Sequence, residues 1–555
     1  MIRPMIAAAL ASVLAAPALA AAPPRPKLIV AISVDQFSAN LFAQFRQRYT
    51  AGLKRLESEG VVFPSGYQSH AATETCPGHS TILTGMHPSA TGIIANNWFD
   101  PVAAKEVYCS LDPAGPVPGR PKDPRGPANL KVPTLGEWLK QADGRSRVYA
   151  VSGKDRGAIM MAGHNADGTF WWDEANGFTT YVPAGTTAEQ RLAPVAAFNK
   201  ALFAKWAKAP PAWTVLDKSC GWTESRTYGH LTIDHRVPPP VGAPAPAKPF
   251  DVNDKTALKW LRASPVFDQI TMDLAIKLLD DQKLGRGEAT DLLAISLSAT
   301  DYVGHRYGNQ GPEMCDHQAH LDRLIGTLLD RLAALKVPVA VVLTADHGAI
   351  DAAERVAERG IPALRFSLGT EGRKIGETLK AEFALDLAPF YVNDEQLYYN
   401  PRLDPVVRDE IEARTIALLR ALPAVQDVFR KADILKVEVP AGKPADELTL
   451  TERFAESIDP VRSGDLLVVT KPYESFGDPD SAGDSIAGHG SPWQYDRRVP
   501  ILFWWPGAEG FEQPLPIETV DIAPTLAAIA GIPAPKVDGR CLDLDRSKSD
   551  ICPAR

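Results

Sequence analysis

The sequence predicts an α/β protein with a central, mostly parallel sheet flanked by helices and large inserted loops. Three observations predict it. Short apolar, β-branched runs recur along the chain, helical stripes lie between them, and three of the runs end in aspartate. The runs cover residues 28–34, 148–151, 292–297, 337–343, 466–469 and 499–503. Nearly unbroken apolar runs fit strands covered on both faces, as in parallel sheets. Leu321, Leu324, Ile325, Leu328, Leu332 and Leu335 recur at helical spacing, and residues 522–530, closed by Gly531, read as another helix with Asp521 as its N-cap. Strands alternating with helices give the α/β class.

The chain has 555 residues, 45% of them hydrophobic and 23% charged, with a net charge of −8. This balance excludes collagen, coiled coil and wholesale disorder. A mildly acidic chain without a basic block has no nucleic-acid-binding surface of the usual electrostatic kind. Residues 1–20 read as a secretory signal: Arg3 leads a short apolar run, and Ala18-Leu19-Ala20 offers a cleavage site. The remainder, 21–555, reads as one catalytic domain, exported to the periplasm or outside the cell, with no later membrane span. Six cysteines suit an oxidising compartment. Sequence does not fix their pairing. Cys541–Cys552 would anchor the tail, while Cys76–Cys109 and Cys220–Cys315 are paired by neighbourhood alone.

Two segments depart from the strand–helix rhythm and read as insertions, at about 163–265 and 355–480. The first is rich in Trp and Pro and contains the proline run 237–244, a stiff surface loop or a partner-binding segment. In the second, Asp478, Asp480 and Asp484 form either a calcium-binding loop or a solvated acidic turn.

The chemistry lies at the ends of strands. Asp35 follows the first run, Asp301 follows the run 292–297 after Ser298-Ala299-Thr300, and Asp346-His347 follow the run 337–343 after Thr344-Ala345. Ligands of open α/β sheets sit at the carboxyl edge of the strands. Three carboxylates gathered there need positive charge between them. His305, His347 and His489 accompany them, and mixed Asp/His ligation without thiolate suits two zinc ions, although manganese and cobalt accept such donors too. Taken singly, each element has a plainer reading. An Asp after a strand is commonly a turn or cap residue, and a lone His is commonly packed or solvated. His317 and His320, on a charged helical stretch, read as solvated, and His79 as support for a neighbouring loop. Thr75, just before Cys76-Pro77, reads as a helix N-cap or as a metal-activated nucleophile.

The segment 73–97, TETCPGHSTILTGMHPSATGIIANN, resembles the type I phosphodiesterase and nucleotide pyrophosphatase branch of the alkaline phosphatase superfamily. It is most similar to the PafA- and PhoK-type bacterial alkaline phosphatases. The matching motifs run in family order from Asp35 to His489. The resemblance implies an alkaline-phosphatase-like fold with Thr75 as the phosphorylated nucleophile. It implies one zinc site of Asp301, His305 and His489, and a second of Asp35, Asp346 and His347 joined by the Thr75 hydroxyl. Asn96 falls where the family binds a phosphate oxygen, and Lys154 with Arg156 resembles the basic pair of its monoesterases. Alone, that pair reads as solvated surface charge. As a clamp it favours a dianionic monoester over a diester. The sulfatase pattern C-x-P-x-R is absent, since Cys76 is followed directly by Pro77.

The expected activity is therefore hydrolysis of small phosphate monoesters through a phosphothreonine, with an alkaline optimum. The alternatives are a phosphodiesterase or nucleotide pyrophosphatase using the same metals, and an exported phosphate- or metal-binding protein without turnover. Natural substrate and oligomeric state are not readable from the sequence.

Overall fold

The computed structural model describes residues 25–239, 255–476, 485–544 and 551–552. Residues 1–20 and the acidic loop of Asp478, Asp480 and Asp484 lie outside the described residues. The strands that matter here are β1 (Leu28–Val34), β2 (Val61–Tyr67), β3 (Val148–Ser152), β4 (Gly168–Asp173), β5 (Gly177–Thr179), β6 (Asp291–Leu297) and β7 (Val339–Thr344). They are followed by β8 (Phe390–Asn393), β9 (Gln396–Tyr399), β10 (Val425–Arg430), β11 (Leu466–Thr470) and β12 (Arg498–Trp504).

A ten-stranded sheet runs in the order β2-β12-β7-β1-β6-β3-β4-β5, with the short strands Phe511–Glu512 and Ile517–Glu518 beside β2. Its centre is parallel: β1 pairs with both β6 and β7, and β3 joins β6 to β4. Antiparallel pairing appears towards the edges, at β7–β12, β12–β2 and β4–β5. Every residue of β1, β6 and β7 is buried, which explains their unbroken apolar sequences. One hydrophobic cluster fills each face, with Ile32, Ile295 and Leu343 on one side and Ile29, Leu292 and Val342 on the other.

Four expectations need correction. Residues 466–469 form β11, which lies outside the large sheet in a four-stranded one ordered β8-β9-β11-β10. Its Leu466 and Val468 pack into one cluster and Leu467 and Val469 into another, so burial on both faces mimics a central strand. The segment 163–265 is not wholly insertion: it supplies β4 and β5 to the large sheet, then the helix Ala188–Lys208 and the hairpin Glu224–Tyr228/Leu231–His235. Asp521 does precede the helix Ile522–Ile529, but its side chain does not cap it; the carboxylate accepts the N–H groups of Glu518 and Arg540. His317 is buried at 1% exposure on the helix Pro312–Ala333, with its Nε2 2.8 Å from the Thr300 hydroxyl. The cysteines pair as Cys76–Cys109, Cys220–Cys315 and Cys541–Cys552. Among the described residues, no helix is long and apolar enough to cross a membrane.

Candidate active site

The parallel register places the ends of β1, β6 and β7 side by side, with Ser33 opposite Ser296 and Thr344. Asp35 leaves β1, Asp346 and His347 leave β7, and Asp301 and His305 stand on the helix Ala299–Tyr307 that follows β6. The fourth parallel strand, β3, leads into Lys154 and Arg156. Thr75 is the first residue of the helix Thr75–Ile82, with Glu74 in the N-cap position. Gly78 brings that helix against β7's exit: a Cβ there would lie 1.9 Å from the Asp346 carbonyl oxygen. His489 comes from the loop before β12, tied down where Ile486 N–H donates to the His305 carbonyl.

The three predicted histidine ligands share one arrangement. Nδ1 of His305 donates to the Ala487 carbonyl (2.8 Å), that of His347 to Gly348 (2.9 Å) and that of His489 to Thr73 (2.9 Å). Anchoring Nδ1–H on a carbonyl fixes the tautomer and leaves the Nε2 lone pair free, as in metal-ligating histidines. Those Nε2 atoms face carboxylates: His305 and His489 stand 3.2 and 3.5 Å from Asp301 Oδ1, and His347 stands 3.2 Å from Asp346 Oδ2. His347 Nε2 and Asp346 Oδ2 are buried and make no hydrogen bond, so their proximity has the character of two donors facing one cation. The rings of His347 and His489 stack at 3.6 Å, placing His347 within reach of both donor groups. This donor set fits divalent metal ions of borderline character.

Electrostatics follow from burial and pairing. Burial disfavours the charge on Asp301, yet Lys154 and His305 outweigh it and hold the carboxyl well below the usual range. Burial, with His347 beside it, lowers His489 to about 4, so its imidazole is neutral. Lys154 Nζ bridges the two donor groups, 2.6 Å from Asp301 Oδ2 and 2.9 Å from Asp35 Oδ2. Arg156 Nη2 donates towards Thr75 Oγ1 at 3.5 Å, while its Nη1 meets the Tyr108 hydroxyl. Asp155 accepts from Tyr108 and Arg125 and steadies this arm. Asn96 Oδ1 accepts the Cys76 N–H at 2.9 Å, which turns the amide NH2 away from that bond and leaves it to donate elsewhere.

Three contributors escape the sequence reading. His79, buried between Asp35 and Asp346, is more than loop support: it lies 3.4 and 3.3 Å from those carboxylates. Both its ring nitrogens are already engaged, by the Thr75 carbonyl (2.9 Å) and the Ser296 hydroxyl (3.1 Å), so it braces the carboxylates rather than offering a free lone pair. Burial opposes its charge, but Asp346 and Asp35 raise it to about 10. Gln36 links the donor groups, giving its backbone N–H to Asp346 and its side-chain NH2 to Asp301, both at 3.0 Å. It does so at φ 65°, a left-handed conformation that costs a non-glycine residue free energy and is typical of functional sites. Glu74 receives the Asn96 N–H at 2.7 Å. The His79 signal was present in its i, i+4 spacing from Thr75; Gln36 left no sequence signal.

Residues 29–492 match the family described as type I phosphodiesterase / nucleotide pyrophosphatase, and the chain belongs to it. Alkaline phosphatase PhoK from Sphingomonas sp is 42% identical over 536 residues, spanning 95% of this chain and 92% of its own. Alkaline phosphatase PhoD from Zymomonas mobilis is 43% identical over 545 residues, spanning 95% and 90%. The crystal structure of wild-type alkaline phosphatase PafA superposes with a TM-score of 0.80 at 25% identity, covering 94% of this chain and 99% of that one.

Proposed function

We propose that this chain is an exported, zinc-dependent alkaline phosphatase that hydrolyses phosphate monoesters through a phosphothreonine on Thr75. The observation that carries the substrate class is Arg156, which reaches the Thr75 hydroxyl from one side while Lys154 stands on the Asp35 and Asp301 carboxylates behind it. One cation at the nucleophile and a second on the carboxylates of the two donor groups match a dianionic monoester better than a singly charged, bulkier diester.

Asp301, His305 and His489 would hold one zinc, and Asp35, Asp346, His347 and the Thr75 hydroxyl the other. Bound zinc supplies Lewis acidity, lowering the pKa of the Thr75 hydroxyl and of water and neutralising the leaving oxygen. Lys154, which stands on Asp35 and Asp301, would be free to turn to the phosphoryl oxygens were those carboxylates to hold metal. Arg156 and the Asn96 amide NH2 hold the remaining non-bridging oxygens as their charge shifts. Thr75 Oγ would attack phosphorus in line as the ester P–O bond breaks and the alcohol leaves with the hydroxyl's proton, and water would then cleave the phosphothreonine, releasing phosphate and restoring the Thr75 hydroxyl. His79 keeps the Thr75 carbonyl and both nearby carboxylates in register through its two ring N–H groups.

The test compares an aryl phosphate with its bis-aryl diester. Lys154→Ala and Arg156→Ala should each lower monoester turnover about 100-fold and change diester turnover far less. Equal losses on both substrates, or an unchanged monoester rate, would refute the monoesterase reading. A diester rate above the monoester rate in the unaltered enzyme would favour the phosphodiesterase alternative.

A further inference from the structure

Gln36 touches both donor groups and belongs to neither, and its placement is unlike that of an ordinary packed side chain. It follows Asp35 beyond the end of β1 and is only 1% exposed. Its backbone holds φ 65°, a conformation that favours glycine. Its Oε1 is buried and meets no donor among the described residues. Strain and an unmet buried carbonyl each cost free energy. Neither the backbone nor the carbonyl end therefore explains why a glutamine stands here.

The two N–H arms explain it. The side-chain NH2 donates to Asp301 Oδ1 at 3.0 Å, the oxygen that His305 and His489 face through Nε2 at 3.2 and 3.5 Å. Asp301 Oδ2 is taken by Lys154, so Gln36 serves the oxygen turned to the proposed zinc ligands. The backbone N–H donates to Asp346 Oδ1 at 3.0 Å and leaves Oδ2, beside His347 Nε2, without a hydrogen bond. The two carboxylates stand in separate clusters of convergent donors, Asp301 with His347 and His489, and Asp346 with Asp35 and His79. One residue thus fixes a carboxylate in each cluster, one by its side chain and the other by its backbone.

The fold keeps a slot for the side-chain arm. Gly304 lies between Asp301 and His305 on the helix Ala299–Tyr307, and a Cβ there would overlap Gln36 Oε1 and lie 2.9 Å from Asn309 Oδ1. Glycine inside a helix weakens it, and here the close approach of the glutamine amide requires it.

We infer that Gln36, seated by Gly304, is a positioning residue for the metal centre: its NH2 holds Asp301 for the zinc of Asp301, His305 and His489, and its backbone N–H serves Asp346 independently. This role rests on the ligand set proposed for the two zinc ions. Outer partners keep metal ligands in place, and losing one weakens metal binding about 10- to 100-fold. Because the arms differ in kind, changing the side chain removes one and spares the other.

The test is zinc retention by the full-length, zinc-loaded protein in buffers of stepped free zinc, with melting of the metal-stripped protein beside it. Unaltered protein should hold two zinc ions per chain. Gln36→Gly and Gln36→Asn should each release one of them at about 10- to 100-fold higher free zinc, and keep the other as the unaltered protein does. Glycine and asparagine both suit the left-handed backbone, and asparagine, one methylene shorter, draws its amide back from Asp301. Both stripped variants should therefore melt no lower than the unaltered protein. Gly304→Ala should release the same ion early and add little to that loss in a Gln36→Gly background, where the arm it displaces is already gone. Both ions held as tightly in the two Gln36 variants as in the unaltered protein would overturn the role and leave the ligand set standing. Early release of both ions together, with lower melting of the stripped variants, would mark a merely structural residue and overturn it as well. An unaltered protein that holds no zinc would overturn the ligand set and this role with it.

Discussion

The ten-stranded sheet and the four-stranded sheet of β8–β11 are both rich in buried apolar residues, but they differ in what their strand ends can do. In the large sheet β1, β6, β3 and their neighbour β7 run parallel, so their carboxyl ends reach one edge together. In the small sheet every pair is antiparallel, and successive strand ends point to opposite edges. The first arrangement gathers Asp35, Asp301, Asp346 and Lys154. The second cannot assemble such a set from strand ends, and contributes instead through a turn: Asp394 and Glu395, between β8 and β9, share a small cavity with Glu74 and Gly490. Burial and then Asp394 raise the Glu74 carboxyl to about 8. Tyr391 of β8 also stacks on Phe99 at 4.3 Å, beside the strand that follows Asn96. The small sheet thus lies beside Glu74 and Asn96, while the large one gathers the proposed ligands.

The sharpest way to test that division is at the parallel edge itself. Thr75→Ala should reduce monoester turnover by about 1,000-fold or more with an unchanged circular dichroism spectrum, and acid-quenched enzyme should no longer retain phosphate. A loss below tenfold would remove Thr75 from the chemistry. Next in size is metal removal. Chelator treatment should lower turnover by at least about 100-fold, and zinc should restore it; activity that survives measured loss of metal would count against the donor assignment.

A matched pair of core changes then separates the sheets. Ile295 in β6 and Leu397 in β9 are both fully buried. Replacing either with Ala should cost about 2–5 kcal/mol in urea unfolding. Ile295→Ala should also weaken metal retention, because β6 sets the positions of Ser296 and the Asp301 helix. Leu397→Ala should keep turnover per folded molecule within about twofold. Equal catalytic losses would mean that the small sheet does more than lie beside Glu74 and Asn96.

The smallest expected effect is a pH dependence under the ligand helix. Asp268, on the helix Pro265–Asp281, accepts the Ala299 N–H at 2.8 Å and so holds the start of the helix bearing Asp301 and His305. Burial raises its carboxyl to about 7. The fold therefore favours the protonated form, and this contribution is fully present below the unfolded carboxyl's value near 4. It diminishes as pH rises from there and levels off above about 7. Asp268→Asn keeps the acceptor oxygen without the titration, so its stability should fall less than the unaltered protein's between pH 4 and 7 in denaturant melts. Parallel profiles would exclude Asp268 as the titrating group.

Sequence legibility follows the same divide. Strands buried on both faces must be apolar throughout, so β1, β6 and β7 were readable nearly to the residue, and the Asp and His residues after them stood out. That same rule misplaced β11, whose two faces are covered by different clusters. The helix Ala188–Lys208 was obscured by Pro194 in its interior and by a sparse buried stripe of Val195, Leu202 and Trp206. His317 looked solvated because its neighbours in sequence are charged, although tertiary packing buries it. Gln36 was invisible for a different reason: its role comes from a backbone conformation set by the groups on either side, which no pattern of residue types records.

The loop bearing His489 has one more consequence, and it concerns timing. The other proposed ligands are present once the chain has been made as far as His347, but His489 arrives more than a hundred residues later, after the whole of the small sheet. A nascent chain therefore lacks one of the proposed donors through most of its synthesis. On the proposed assignment, the metal-binding set is completed only when nearly the whole chain has been made.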